Sequence, residues 1–353
     1  MKNILKNTVV LMIVIALSMM LFSACGKSKD MDNNSASSVG DAQNVEEKND
    51  DVSKENSQDG NSQSDKSVNY PLTIKDSNGH EMTIDKKPEK IVSLTLGTDE
   101  ILLELVGKDR IAALSELATD EGLSNVTKEA EGFTLLAAKD TEKIISLQPD
   151  LVFVANWTDA NIVQQLRDAG INVYAFKTAE NISEQKKVIE ELAYVTGEVE
   201  KGKEIIAQMD SKLKYVEEKV KNLKEEEKLK ALSCDSFFYT YGKNTTFDDL
   251  ASYAGVINLA SELGMEGWVQ ISKEKIIELN PDVLILPSWS YEGFDADEFY
   301  NDIKNDKSLQ SVNAVKNNRI FSLKESHTTA LSQYIVLGVE DLAKAVYPEL
   351  FKE

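Results

Sequence analysis

The sequence predicts an α/β protein of two Rossmann-like lobes, each built on a mainly parallel sheet, joined by one long helix. Three observations predict it. First, residues 141–154 (TEKIISLQPDLVFV) recur in altered form as residues 273–286 (KEKIIELNPDVLIL), 132 positions downstream, which is about one domain length. Second, each copy reads as a short helical turn stopped by Pro149 or Pro281, then Asp and an unbroken aliphatic run. Proline disfavours helical backbone just before it, and the aliphatic run marks a strand buried on both faces. Third, residues 182–230 separate the copies with helical apolar spacing and no strand signal.

The chain opens with Lys2 and Lys6, an apolar run, and small residues before Cys25. This order describes a secretory signal over residues 1–24. Phe22-Ser23-Ala24-Cys25-Gly26 resembles a bacterial lipobox, with Phe22 where Leu is usual; the resemblance implies that Cys25 is lipid-modified and becomes the first mature residue. Residues 25–68 then form a disordered tether, because Ser, Asn, Asp, Glu and Lys cannot bury enough surface to offset the entropy of ordering. The expected location is extracytoplasmic, lipid-anchored to the outer face of the cell membrane.

Leu72, Ile74, Met82 and Ile84 alternate with polar residues around Asn78-Gly79, a hairpin signal, with His80 as solvated surface beside it. Residues 88–94 are a buried strand. Residues 98–107 are a helix with Thr98 as N-cap and Gly107 as stop. Strands over 110–114, 151–155 and 172–176 and a helix over 159–169 continue the alternation. Helices over 182–196 and 199–223 follow, the second long enough to cross from lobe to lobe. The second lobe opens with a strand at 228–235, a loop at 237–246 and a helix at 247–255. After the second repeat come an acidic segment (292–307), a strand (319–323), a loop (324–329) and a last helix (330–347). The division is therefore an N-terminal lobe at 69–196, a bridge at 197–226 and a C-terminal lobe at 227–353.

A formal charge of −21 argues against nucleic acid or an anionic membrane surface as partner; the membrane is met only through the N-terminal anchor. Cys25 and Cys234 are the only cysteines, so a lipid-modified Cys25 leaves no intramolecular disulfide, and Cys234 reads as buried and inert. The chain lacks HxxxH, CxxC, GxSxG and phosphate-cradling glycine patterns, which argues against an exported hydrolase.

The hairpin at 70–84, the strand at 87–94, both Pro-Asp strands, the long helix and Arg319-Ile320-Phe321-Ser322-Leu323 together resemble the substrate-binding lipoproteins of ABC importers for iron–siderophore complexes, cobalamin and haem. The resemblance spans residues 70–350. It implies a ligand cleft between the lobes, and a monomer without cofactor that delivers a metal chelate to a permease dimer, with only modest lobe closure. It also implies that Glu142 and Glu274, matched in the two repeats, pair with arginines of the permease. Their symmetry across the lobes supports this independently, although the helix dipole also favours glutamate in a first turn.

Ligands of open parallel sheets bind beyond the carboxyl ends of the strands. The residues there are unusually aromatic: Trp157, Phe176, Phe238, Tyr239, Tyr241, Trp289 and Tyr291, with Trp268 nearby and His327 after the last strand. Such side chains suit a bulky, partly apolar ligand. None of the arginines, Arg110, Arg167 and Arg319, falls at a strand's carboxyl end, although Lys177, Lys243 and Lys324 could supply charge. A near-neutral ligand is expected, a hydroxamate-type ferric siderophore or a corrinoid. Haem would require an axial ligand, for which His327 and Tyr239 are candidates; a solvated loop histidine is the other role open to His327.

Overall fold

The computed structural model describes residues 68–352. The expected signal, Cys25 and the tether up to residue 67 lie outside the described residues. The chain enters through an antiparallel hairpin of β1 (Leu72–Lys75) and β2 (Glu81–Ile84), with Leu72 opposite Ile84. Asp76 closes its turn by accepting from the backbone N–H groups of Asn78 and His80. Its second carboxylate oxygen accepts from Arg167 at 2.7 Å, tying the hairpin to the first lobe.

The first sheet contains β3 (Ile91–Ser93), β4 (Ile111–Ser115), β5 (Thr134–Leu136), β6 (Leu151–Ala155) and β7 (Val173–Phe176). Its order is β5-β4-β3-β6-β7, all parallel. The helices of this region are α1 (Leu96–Leu105), α2 (Thr141–Leu147) and α3 (Ala160–Asp168). Two expectations are corrected here. The N-cap of α1 is Thr95, whose hydroxyl accepts from the Thr98 N–H, and not Thr98, which is buried one turn inside. Strand β5 was not anticipated, because Thr134 and Leu135 are both exposed at the sheet edge and give no aliphatic run.

Next come α4 (Ile182–Thr196) and α5 (Val199–Val220), separated by Gly197 at φ 74°. Helix α5 has 22 residues, about 33 Å of length, and ends three residues before the expected Leu223. Its buried stripe of Ile205, Met209, Leu213, Val216 and Val220 belongs to a core cluster shared by both sheets and the C-terminal helix. Gly202 lets α5 approach α4 closely, since a Cβ there would meet that of Ala193 at 2.5 Å.

The second sheet has β8 (Lys230–Ser233), β10 (Ile257–Asn258), β12 (Val283–Leu286) and β13 (Ile320–Ser322) in the parallel order β10-β8-β12-β13. The expected loop at 237–246 contains β9 (Tyr239–Tyr241), paired antiparallel with β11 (Trp268–Gln270). Three-residue strands whose partner lies that far along the chain leave no periodic signal. Helices α6 (Thr246–Tyr253), α7 (Leu259–Glu262), α8 (Lys273–Leu279), α9 (Ala296–Asn305), α10 (Asn313–Lys316), α11 (Glu325–Thr328) and α12 (Ile335–Val346) complete the element order. Thus the acidic segment holds a helix capped by Asp295, the loop at 324–329 is a helical turn, and the last helix begins at Ile335 rather than residue 330.

The repeated segment has the same geometry twice. Helices α2 and α8 both end on a left-handed residue before proline, Gln148 at φ 48° and Asn280 at φ 47°. The following aspartates pin the first strand of their sheet. Asp150 donates its N–H to Lys90 O and accepts from the N–H groups of Glu89 and Lys90. Asp282 likewise donates to Lys230 O and accepts from the Lys230 N–H.

Candidate ligand-binding cleft

Both sheets place their carboxyl ends against a cleft made of two adjoining cavities. The first, about 280 Å³, is lined at the strand ends by Leu94, Ser115, Leu136, Ala155 and Phe176. The second, about 400 Å³, is lined by Ser233, Cys234, Asp235, Leu286, Pro287 and Leu323. Thr178, Thr329 and Leu331 line both. Each volume is near the small end of the range typical of ligand sites, and the pair is well within it.

The structure brings some of the expected aromatic residues into this cleft. Phe176 ends β7 and is buried, while Trp157 follows β6 and is 70% exposed; both line the first cavity. The Trp157 indole is oriented by donating to Thr178 Oγ1 at 3.0 Å, and Thr178 in turn donates to Asn156 Oδ1. Tyr241 and Trp268 are cross-strand partners on the β9–β11 ribbon, with ring centroids 5.3 Å apart. They line the second cavity, and Trp268 is also 70% exposed.

The other candidates lie elsewhere. Phe238 packs edge-on against Phe299 in the second lobe's core. Tyr239 sits half-buried on β9 and lines neither cavity. Trp289 packs at a tilt against Tyr291, which stacks on Phe294 and shares a hydrogen bond with Ser236. His327 lines neither cavity, and its Nδ1 lies 2.6 Å from Asp341 Oδ2, so a solvated loop position is corrected as well: the ring is held by a carboxylate of helix α12. Two of the arginines are engaged in the framework. Arg110 bonds to Pro88 O, Thr196 O and Glu198, and Arg167 to Asp76 and Val173 O.

The electrostatics of the cleft are one-sided. Glu100 and Glu116 line the first cavity, and Glu180, Asp235 and Glu325 line the second. Among the described residues, no Lys, Arg or His lines either. Burial pushes the Glu100 carboxyl above its ordinary range, against hydrogen bonds from Ser332 and Asn125 that favour the charged form. Burial also raises Glu325, partly offset by the N–H groups of Ser288 and Trp289. Behind the first cavity, burial raises Asp99 to about 7 despite bonds from Ser115. The Cys234 thiol is pushed up to about 12, chiefly by burial, which leaves it inert as a nucleophile or thiolate ligand. Among the described residues no group of three or more His, Cys, Asp or Glu side chains is placed to hold a metal ion.

Sequence reasoning missed Glu100, Thr178, Thr329 and Leu331. Glu100 looks like an ordinary helix glutamate, and Leu331 like the start of an amphipathic helix. Glu142 and Glu274 are exposed in the first turns of α2 and α8, at equivalent places in the two lobes. A hydrogen bond from Ser272 holds the Glu274 carboxyl below its ordinary range.

The sequence profile of the family described as periplasmic binding protein matches residues 91–327. The chain is 31% identical over 290 residues to the uncharacterised ABC transporter substrate-binding lipoprotein YvrC of Bacillus subtilis, covering 80% of this chain and 88% of that protein. It is 24% identical over 276 residues to the iron(3+)-hydroxamate-binding protein FhuD of Bacillus subtilis, covering 76% and 84%. It is 24% identical over 222 residues to a cobalamin-binding protein of Halobacterium salinarum, covering 63% and 60%. Among solved structures, a possible iron-binding periplasmic solute-binding protein of Staphylococcus epidermidis superposes with a TM-score of 0.64 at 26% identity, covering 74% of this chain and all of that one.

Proposed function

The chain belongs to the periplasmic binding protein family of ABC-transporter substrate-binding proteins, and we propose that its ligand is a bulky, uncharged or cationic metal chelate, a hydroxamate-type ferric siderophore. Proteins of this family are non-enzymatic, extracytoplasmic transport components that bind small molecules and work with a permease and an ATPase. The observation that carries the ligand assignment is the cleft's lining: an exposed indole in each cavity, five carboxylates and no cation. Three hydroxamates neutralise a ferric ion, and the resulting complex presents apolar surface without net negative charge. A tris-catecholate complex is strongly anionic and would face those carboxylates unpaired, which is costly in a partly desolvated site. Haem carries two propionates and takes an axial ligand, whereas His327 is engaged with Asp341 outside both cavities.

A corrinoid is the second reading. It is favoured by the one exposed indole in each half of the cleft, Trp157 and Trp268, which suit the faces of a large macrocycle. The resemblance to the hydroxamate-binding and cobalamin-binding relatives supports the two readings alike.

In this reading residues 69–196 and 227–353 are the lobes and 197–226 the bridge. Glu142 and Glu274 dock on arginines of a permease dimer, and a lipid on Cys25 holds the protein to the membrane. Titration of intrinsic fluorescence with a ferric trihydroxamate, a ferric tris-catecholate, cyanocobalamin and haemin tests the ligand class. Saturable quenching by the trihydroxamate or cyanocobalamin is expected. Quenching by the tris-catecholate or haemin alone would refute the charge argument.

A further inference from the structure

We propose that Leu331 is the residue that sets ligand size and shape, a partition between two chambers of the cleft over which the bound chelate must be draped. Leu331 lines both cavities and is 37% exposed, although Ala330, Ser332 and Gln333 around it are all buried. A leucine left in the open by a segment that is otherwise buried has no packing role to explain it, and the cleft is what it faces.

The segment that carries Leu331 is fixed from both sides. Its backbone lies against Gly97 of α1, where a Cβ would collide with the Leu331 carbonyl. Ser332 donates to the Glu100 carboxylate, and Gln333 donates to Glu100 O at 3.0 Å and to Glu104 Oε2 at 3.1 Å. Upstream, Asn125 of the first lobe donates to Ser326 O, while the N–H groups of Ser288 and Trp289 donate to Glu325. The partition is thus held to the first lobe by Glu100 and to the second by Glu325. With its backbone fixed on both sides, this side chain selects ligands by how they divide between the chambers, since overlap with atoms that cannot retreat is costly.

This inference rests on the metal-chelate reading above and adds the residue that discriminates among chelates. It is tested by measuring Kd for ferric tris(acetohydroxamate), which fits one chamber, and for cyanocobalamin and a ferric trihydroxamate siderophore, which span both. Wild type is compared with Leu331→Ala, Leu331→Trp and Gly97→Ala, the last pushing the partition from behind without altering residue 331. The large-to-small affinity ratio is expected to change at least tenfold in Leu331→Trp, against the large probes, and severalfold the other way in Leu331→Ala. Folding is checked by the thermal midpoint, and Leu331→Ala is expected to keep it because the side chain is not core. Ratios unchanged in both Leu331 variants, with wild type binding a large probe, would overturn the partition and leave the chelate reading standing. A wild type that binds none of the probes would overturn both.

Discussion

The indole of Trp289 lies against Gly122, reaching from the strand end of the second sheet onto the loop that precedes Leu123 of the first cavity. A Cβ on Gly122 would collide with Trp289 Cδ1 and stand 3.0 Å from Nε1. The lobes are therefore joined by a side-chain contact beside the cleft as well as by the bridging helix. Because the obstructing atoms belong to an indole ring packed against Tyr291 and not to a flexible chain end, Gly122→Ala is expected to lower stability by about 1–3 kcal/mol, read as a shift in the urea midpoint.

A buried carboxylate helps to tie the hairpin to the first lobe, beside the bonds from Ser77 to Ala175 O. The Asp76 side chain is fully buried and pairs with Arg167, which is largely buried too. Removing one partner of such a pair strands the other charge. Asp76→Ala is expected to cost about 3 kcal/mol, and the double variant Asp76→Ala/Arg167→Met less than the single. Equal midpoints for wild type and Asp76→Ala would show that the pair contributes nothing.

Asp99 gives a pH dependence with a definite sign. Its folded pKa, about 7, is above the ordinary value because of burial. The folded state therefore holds the proton more tightly than the unfolded chain. Its contribution is fully present at acidic pH and is lost as pH rises from about 4 through 7. Asp99→Asn, which keeps a neutral side chain at every pH, is expected to lose less stability than wild type between pH 5 and 8, as followed by thermal denaturation at each pH.

The docking role proposed for Glu142 and Glu274 predicts that transport can be separated from binding. Both are exposed and neither lines the cleft, so Glu142→Lys/Glu274→Lys is expected to change stability by no more than about 0.5 kcal/mol and to leave chelate affinity intact. Uptake by cells carrying the double variant is expected to fall to background, with each single variant between. Undiminished uptake would remove these residues from permease docking.

Much of the fold was legible because its signals are local. The aliphatic runs of β6 and β12, the prolines that follow α2 and α8, and Gly107 after α1 act within a few residues of themselves. Edge strand β5 was hidden because Thr134 and Leu135 face solvent, and the β9–β11 ribbon because its pairing is distant. The cleft divides the same way. Trp157, Phe176, Tyr241 and Trp268 were legible as large aromatics at or near strand ends. Glu100 and Leu331 were not, since their place depends on contacts such as Glu100 with Ser332, 232 residues apart. The repeated aspartates were seen as a motif, yet their task of pinning β3 and β8 appears only in the hydrogen bonds of Asp150 and Asp282.

The most direct measurement is native mass spectrometry of the protein after incubation with an equimolar mixture of a ferric trihydroxamate, cyanocobalamin, a ferric tris-catecholate, haemin and molybdate. A cleft lined by indoles and carboxylates and by no cation is expected to retain one equivalent of the trihydroxamate or the corrinoid. Retention of the tris-catecholate, haemin or molybdate in their place would contradict the account.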